Sequence, residues 1–230
     1  MQIGILKANA IISSNFILPS QFECLKSYKK DFNLKFSAME LRRMGVALKS
    51  ALSIANSFNL SQDELKNAPI IFSSFSGEIK QCVGLLKNLK DDFVSPTAFS
   101  LSVLNATPAQ MAIFYKNQNE ISSISAKDSL EYGIIDAFIK PNQRAILINY
   151  EEFSNDLDNF SYYALGLLLD KNLDKGVGRI CSLDFSQNQP KNNQIYTSAF
   201  NLLKALNSNL RTTWSVDSTL RWGWALDDNY

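Results

Sequence analysis

The sequence predicts an α/β domain in which helices cover a mixed sheet of five or six strands. Short runs rich in β-branched and aromatic residues alternate with longer segments whose apolar residues recur every three or four positions. Most connections between the strand-like runs are long enough for crossover helices, which favours parallel or mixed pairing. With 230 residues and 46% hydrophobic residues, the chain is long and apolar enough for one substantial core. We therefore expect a single domain over residues 1–230.

Six segments have the composition of strands. They are Ile3–Ile12, Pro69–Ser76, Ile121–Ala126, Arg144–Tyr150, Tyr162–Leu169 and Gly178–Phe185. Only Asp170–Val177 separates the last two segments, which is too short for a crossover helix, so they are predicted to form an antiparallel hairpin. The predicted order is β-α-β-α-β-α-β followed by a β-hairpin.

The first two helices are predicted from a cap and from apolar periodicity. Ser37 and Glu40 have the spacing of a capping box, and apolar residues then recur at helical steps as far as Phe58. This pattern predicts one helix of about 20 residues, roughly 30 Å long. A second helix is predicted to begin after Gly77, because apolar residues again recur at three- and four-residue steps there.

Three further helices are predicted towards the C-terminus. Thr107 is predicted to cap a helix that has Pro108 at its first position, where proline is favoured. Asp128, followed three residues later by Glu131, predicts the cap of the next helix. A late helix is expected near Thr197–Leu206.

The C-terminal part of the chain differs in composition from the rest. The polar stretches Glu151–Asn159 and Ser186–Gln194 are predicted to be surface loops. Residues 186–230 should contribute one helix and an aromatic tail that holds all three tryptophans, Trp214, Trp222 and Trp224. Because such a tail is too apolar to stay loose, we expect it to pack on residues 1–185 or on a partner.

Composition argues against several classes of function. Lys plus Arg number 23 and Asp plus Glu number 22, so no charge excess favours binding to nucleic acid or to a membrane surface. The three cysteines, Cys24, Cys82 and Cys181, include no Cys-x-x-Cys pair, so neither a metal site nor another cofactor is predicted. They are expected to be buried free thiols in a reducing compartment. With no signal-peptide pattern and no run of about 20 apolar residues, a cytoplasmic location is expected.

Two segments carry a resemblance to a known family. Ser95–Ala106 reads SPTAFSLSVLNA and resembles the Ser-Pro-Thr, Phe, Ser-Val, Asn-Ala signature of the beta-ketoacyl synthases. Ser125–Ser129 reads SAKDS and takes the position of that family's Thr-Ala-Cys-x-Ser nucleophile turn. Leu41–Met44 is similar to a helix start of the family, and Ser73–Gly77 takes the place of its glycine-rich turn, with one glycine only. The resemblance implies that residues 1–185 form one half of a thiolase-like fold.

The departures from the family matter as much as the matches. The resemblance implies a cysteine thiolate and two histidines at the active site, whereas this chain has Lys127 at the cysteine position and no histidine. The second half of the fold, which carries those histidines, is also expected to be missing. The closest likeness is to short ketosynthase-like proteins that accompany aryl polyene-type synthesis. It implies an inactive, chain-length-factor-like subunit that pairs with an active ketosynthase in fatty acid or polyketide synthesis.

Seven residues are candidates for a subunit interface or an acyl pocket. They are Phe99, Asn105, Met111, Ile121, Ile124, Lys127 and Ser129. Ordinary alternatives stay open, namely core packing for Phe99 and Met111, a turn for Asn105, and a helix cap for Ser129. The resemblance implies that the strand Ile121–Ala126 pairs across a two-fold axis, in a heterodimer with a ketosynthase or in a homodimer. An acyl carrier protein would be an indirect partner.

Two other functions remain open on the sequence alone. The chain is alternatively an acyl-thioester hydrolase or acyltransferase that uses Ser129 or a cysteine. Without histidine, the base would then have to be a carboxylate or a desolvated lysine. The other alternative is a homodimeric module that binds and shields an acyl intermediate.

Overall fold

The computed structural model describes residues 2–89, 95–154, 156, 158–173, 178–180, 194–208, 212–217 and 221–227. The strands in this part of the chain are β1 Ile3–Ile12, β2 Ile70–Ser73, β3 Ile121–Ile124, β4 Arg144–Ser154, β5 Phe160–Asp170, β6 Gly178–Ile180, β7 Thr212–Asp217 and β8 Arg221–Asp227. The helices are α1 Ala38–Arg43, α2 Val46–Ser57, α3 Gln62–Asn67, α4 Ile79–Leu89, α5 Pro96–Leu101, α6 Ala106–Tyr115, α7 Ser129–Ile139 and α8 Thr197–Ser208. Residues Ser20–Tyr28 form 3₁₀ turns.

The strands form one mixed sheet in the order β3-β2-β4-β5-β1-β6-β8-β7. Strand β2 is parallel to both β3 and β4, and the other pairs are antiparallel. The predicted α/β class with helices on a mixed sheet is confirmed. The sheet has eight strands in the described residues, more than the predicted five or six, because the C-terminal segment adds β7 and β8.

The predicted hairpin between the last two of the six strands is wrong. Strand β1 lies between β5 and β6, so that Ile5 pairs with Leu169 on one side and with Gly178 on the other. The hairpin is formed instead by β4 and β5, in register from Arg144–Asp170 to Ser154–Phe160. Because β4 continues past Tyr150, only a short connection is left before β5. The N-terminal strand takes the place beside β5 that the local spacing had assigned to β6.

The predicted long helix from Ser37 to Phe58 is divided into α1 and α2. The Ser37–Glu40 capping box is confirmed, but the backbone leaves the helical region at Met44, with ψ of 133°, and at Gly45, with ψ of 165°. A Cβ at Gly45 would lie 2.4 Å from Oε2 of Glu78, so this carboxyl group packs directly against the break. The apolar periodicity continues across the break, which is why the sequence predicted one helix.

Of the predicted caps at Thr107 and Asp128, the first is wrong and the second is confirmed in its position only. Helix α6 begins at Ala106 with Asn105 at the N-cap position, and the Thr107 hydroxyl group donates a hydrogen bond to Glu78 instead of capping. Asp128 occupies the N-cap position of α7, but its side chain makes no capping hydrogen bond. Helices α4 and α8 confirm the predicted helix after Gly77 and the late helix. The polar side chains near these helix ends bond to distant elements, and local spacing does not reveal such partners.

Helices cover both faces of the sheet. On one face α2, α3 and α6 pack on a core that includes Phe58, Phe72 and Tyr150. On the other face α7, α8 and the 3₁₀ turns pack on a core that includes Phe200 and Trp222. The C-terminal segment therefore contributes part of the second core, with Trp222 and Trp224 at 0% and 3% exposure.

The cysteine prediction is wrong for the two thiols that the structure describes. Cys24 and Cys82 are both exposed, because Cys24 lies on the outer side of the 3₁₀ turns and α4 buries none of its residues. Cys181 lies outside the described residues, and so does nearly all of the predicted loop Ser186–Gln194. The other predicted loop, Glu151–Asn159, begins inside β4, where Glu151 and Glu152 are buried.

Candidate functional site

A polar cluster lies where the parallel strands β2 and β4 end and helix α7 begins. Ser73 is the last residue of β2, Asn149 and Glu151 lie in the second half of β4, and Ser129 is the first residue of α7. The carboxyl ends of parallel strands are the usual place for ligand sites in open α/β sheets. All four side chains are buried, between 0% and 3% exposed. We define this polar cluster as the candidate site.

The carboxylate of Glu151 is the centre of the cluster. Its Oε1 accepts hydrogen bonds from the Phe75 N–H at 2.7 Å and from the Ser129 hydroxyl group at 2.9 Å. Its Oε2 accepts from the N–H of Ser76 at 2.9 Å and from the Ser76 hydroxyl group at 2.7 Å. Such charge-assisted bonds compensate a carboxylate for the loss of water. The turn after β2 is thereby attached to β4 and α7.

Asn149 extends this network towards the core. Its amide nitrogen donates to Oγ of Ser129 at 2.8 Å and to Oγ of Ser73 at 3.2 Å. Its amide oxygen accepts from the Tyr163 hydroxyl group at 2.9 Å. The Ser129 hydroxyl group consequently accepts one hydrogen bond and donates another, to Glu151. The hydroxyl group is therefore satisfied both as donor and as acceptor within the protein.

Burial controls the ionisation of these carboxyl groups. It raises the pKa of Glu151, and the hydrogen bonds from Phe75, Ser76 and Ser129 oppose that rise. A second pair lies beside the site. Burial, together with the charge of Glu152, raises the pKa of Glu78 to about 7. The pKa of Glu152 is also raised by burial, against the hydrogen bond that the Tyr150 hydroxyl group donates to its Oε1 at 2.5 Å.

Lys127, the residue that the sequence resemblance places at the family's nucleophile turn, is not part of the buried network. Lys127 is exposed in the turn between β3 and α7, and the described residues offer its amine neither a hydrogen bond nor an ion pair. Ser129, two residues later, is 3% exposed and bonds to Glu151. Among the seven candidate residues, only Ser129 belongs to the cluster.

The remaining candidates lie in three different environments. Phe99 on α5 is 60% exposed, and Asn105 is exposed at the start of α6. Met111 is 0% exposed in the core under α6, the environment that ordinary core packing gives. Ile121 is 40% exposed on β3, and Ile124 lies on the same edge strand, half-buried beside a shallow apolar cavity. The structure does not bring these five residues together at one pocket.

Sequence reasoning missed the residues that build the site. Glu151 was not a candidate because the polar residues after Tyr150 were assigned to a loop, and Asn149 was assigned to the strand Arg144–Tyr150 without a functional role. One signal was available in the sequence. Two consecutive acidic residues directly follow a buried parallel strand, which is where such sheets place functional side chains. Within the described residues, no group of three or more His, Cys, Asp or Glu side chains has a metal-binding arrangement.

Comparison with known proteins identifies the family. The sequence of residues 25–225 matches the family described as "Beta-ketoacyl synthase, N-terminal domain". The chain belongs to this family. The family match begins near the 3₁₀ turns and ends within β8, so it spans both cores. No curated protein sequence matches the chain. Among the helices that the structure describes, none is long and apolar enough to cross a membrane.

Solved structures show the same thiolase-like fold at low sequence identity. One is a ketosynthase (ApeO) in complex with its chain length factor (ApeC) from Xenorhabdus doucetiae. It has a TM-score of 0.70 and 18% identity, and the match covers 98% of this chain and 99% of that chain. A type II acyl-carrier protein in complex with its ketosynthase bound to the hexaketide has a TM-score of 0.61, 9% identity and the same coverage of both chains. The ishigamide ketosynthase/chain length factor has a TM-score of 0.55 and 11% identity, covering 80% of this chain and 67% of that chain.

Proposed function

We propose that the chain is a catalytically inactive, chain-length-factor-like subunit that pairs with an active beta-ketoacyl synthase in fatty acid or polyketide synthesis of the aryl polyene type. One observation carries this proposal: an exposed Lys127 stands at the nucleophile position of a chain that contains no histidine. A cysteine thiolate holds an acyl group as a thioester that can be transferred. Acylation of a lysine amine would give a stable amide, so this position cannot support acyl transfer. A role beside these synthases implies a cytoplasmic location.

The open edge of β3 supports pairing with another subunit. The Ile124 carbonyl accepts a hydrogen bond from the Ser74 N–H, and the Glu120 carbonyl accepts from the Ile70 N–H, so alternate residues of β3 face β2. The backbone groups of Ile121 and Ser123 consequently face outward, because strand backbones alternate in direction. In the part of the chain that the structure describes, no strand pairs with this edge, and an unpaired edge invites a further strand.

Apolar side chains flank this edge. Tyr132 and Ile139 of α7, which share a cavity with Ile124, are 37% and 69% exposed, and Ile121 is 40% exposed. Burying them against a partner would be favourable, by about 25 cal/mol for each Å² of apolar surface removed from water. Phe99, Asn105 and Lys127 are then candidates for contact with the partner or its acyl chain. An acyl carrier protein would meet the ketosynthase and reach this subunit only indirectly.

Coexpression tests the pairing. The chain and a tagged beta-ketoacyl synthase from the same organism should copurify as a heterodimer. Ser123→Pro removes an outward N–H without removing a bond to β2, so we expect affinity for the ketosynthase to fall at least about tenfold. Ser123→Ala is the matched control and should bind as the wild type does. Equal binding by Ser123→Pro and wild type would refute pairing through β3, and a stable homodimer that excludes the ketosynthase would favour the acyl-binding module.

The contact between Ser129 and Glu151 favours a second candidate, an acyl-thioester hydrolase or acyltransferase. A serine that donates to a carboxylate at 2.9 Å has the parts of a nucleophile and a base. Burial of Ser129 and the full hydrogen bonding of Glu151 weigh against it. Hydrolysis of acyl thioesters by the purified chain, lost in Ser129→Ala, would establish this candidate and overturn the first.

A further inference from the structure

The turn after β2, Ser74–Gly77, presents an exposed aromatic side chain from a fixed backbone. Phe75 is 51% exposed at the tip of this turn. Its N–H and the N–H of Ser76 both donate to the buried carboxylate of Glu151, at 2.7 and 2.9 Å. The Ser76 hydroxyl group donates to the same carboxylate at 2.7 Å and accepts from the N–H of Glu152 at 3.0 Å. These hydrogen bonds attach the turn to β4.

Further bonds fix the two ends of the turn. The Ser74 N–H donates to the Ile124 carbonyl at 3.0 Å, which attaches the start of the turn to the end of β3. The Gly77 N–H donates to Oγ of Ser74 at 2.8 Å. Gly77 has a φ of +62°, in the left-handed region that glycine adopts without strain. Hydrogen bonds to β4, to β3 and within the turn itself therefore constrain the backbone that carries Phe75.

The turn lies between the two segments that the proposed function assigns to the interface. It is bonded to the end of β3, as described above. On its other side, a methyl group of Leu104 lies 3.8 Å from the position that a Cβ of Gly77 would occupy, so the turn contacts the Ser95–Ala106 segment. That segment exposes Phe99 at 60% and Val103 at 44%. Phe75 is thus located between two surfaces that are each proposed to bind the ketosynthase.

We infer that Phe75 is an anchor of the ketosynthase interface and that Glu151 is the positioning residue that holds it. This inference rests on the proposed function. An aromatic side chain on a fixed turn loses little conformational entropy on binding, and such residues often dominate interface energies. The occupant of this surface is an apolar pocket of the partner ketosynthase, because a half-exposed phenyl ring offers no polar group. Glu151 acts through the backbone of the turn and does not touch the partner.

Binding measurements with the coexpressed ketosynthase test the anchor. We expect Phe75→Ala to raise the dissociation constant at least about thirtyfold, because hot-spot aromatics have effects of this size. Ile17→Ala is the matched control: Ile17 is 85% exposed after β1, a strand that β2, β4 and β5 separate from β3, and its removal should change affinity less than twofold. If Phe75→Ala binds as Ile17→Ala does, the inference is wrong while the proposed function stands. If the wild type does not bind a ketosynthase, the proposed function fails, and this inference fails with it.

A double-mutant cycle tests the positioning role. If Glu151 acts through Phe75, Glu151→Gln should weaken binding, and adding it to Phe75→Ala should weaken binding no further. Additive effects would show that Glu151 has a merely structural role. Ser76→Ala, which removes one donor to the carboxylate from the surface turn, is a milder variant should Glu151→Gln fail to fold. It should weaken binding in the presence of Phe75 and have no effect in its absence.

Discussion

Glu131 is a fully buried carboxyl group that connects three elements at the scale of single residues. It lies on α7, accepts a hydrogen bond from the Ser198 hydroxyl group of α8, and interacts with Trp224 of β8. Burial is the main cause that raises its pKa to about 7, and the nearby carboxyl group of Asp128 adds to the rise. Tyr163 of β5 is another titratable group that interacts with it. The C-terminal segment is thus attached to the core through a group that titrates near neutral pH.

This environment predicts that stability decreases with rising pH. The pKa of Glu131 is about 7 in the folded chain against an ordinary value of 4.5, so the unfolded state loses its proton first. The free energy of unfolding should therefore fall between about pH 4.5 and 7, by up to about 3 kcal/mol from this group, and change little above pH 7. Glu131→Gln should remove this pH-dependent part of the free energy of unfolding. Urea titrations of the variant and the wild type at pH 5 and pH 8 would measure it.

Two controls separate Glu131 from other carboxyl groups. Glu23→Gln, at an exposed ion pair with Lys26, should leave the pH profile unchanged. Glu78 also has a pKa of about 7, but it contacts Thr107 of α6 and the start of α2. Amide exchange in α8 should therefore respond to Glu131→Gln and not to Glu78→Gln. An unchanged pH profile in Glu131→Gln would contradict the assignment.

At the scale of elements, α2 approaches the sheet most closely over β5. A Cβ at Gly166 would lie 2.2 Å from Cγ2 of Ile54, so only glycine leaves room for the helix at this point. Both residues lie in the apolar layer under α2, a helix in which eight of the twelve residues are buried. The position of α2 above β5 therefore depends on the absence of one methyl group.

Gly166→Ala should destabilise the fold by about 1–3 kcal/mol, because a branched side chain next to the backbone cannot move aside cheaply. Ile54→Ala in the same chain should make the glycine substitution less costly than it is in the wild type. Gly84→Ala is the matched control. A Cβ there meets nothing within 4 Å on helix α4, so it should be neutral or stabilise by up to about 1 kcal/mol. Urea unfolding gives both values, and equal effects of the two alanines would contradict this description of α2.

The elements that could be predicted from the sequence are those that residues close by in the chain determine. The bounds of β1 follow from a composition rich in β-branched residues and the start of α1 from a capping box, and both agree with the structure. The break at Gly45 and the neighbour of β6 have causes far away in the chain, in Glu78 and in β1 respectively. The candidate site also combines a locally determined residue with a contact to a distant one. The sequence marked Ser129, but its link to Glu151 depends on β4 continuing four residues beyond the predicted strand.

At the scale of the whole molecule, the C-terminal segment continues the same sheet as the rest of the chain. Strand β8 pairs with β6, and β6 pairs with β1, so no boundary divides the sheet. Trp222 of β8 packs edge-to-face on Tyr132 of α7, with ring centroids 5.3 Å apart. These contacts favour one cooperative unit, and the single domain over residues 1–230 stays a prediction.

Unfolding in urea tests this cooperativity directly. All three tryptophans lie in the C-terminal segment, so their fluorescence reports on that segment, whereas far-UV circular dichroism reports on every helix and strand. We expect the two transitions to coincide, with the same midpoint and slope. A fluorescence midpoint at lower urea would show instead that the C-terminal segment detaches before the remainder unfolds.

The place of β1 in the sheet also affects how the protein emerges from the ribosome. Ile3 pairs with Ile180, and Ile5 pairs with Leu169, so β1 cannot find its neighbours until these much later residues have been synthesised. Until then its isoleucines remain uncovered, and closing such distant contacts is slow. The nascent chain should consequently depend on molecular chaperones during translation.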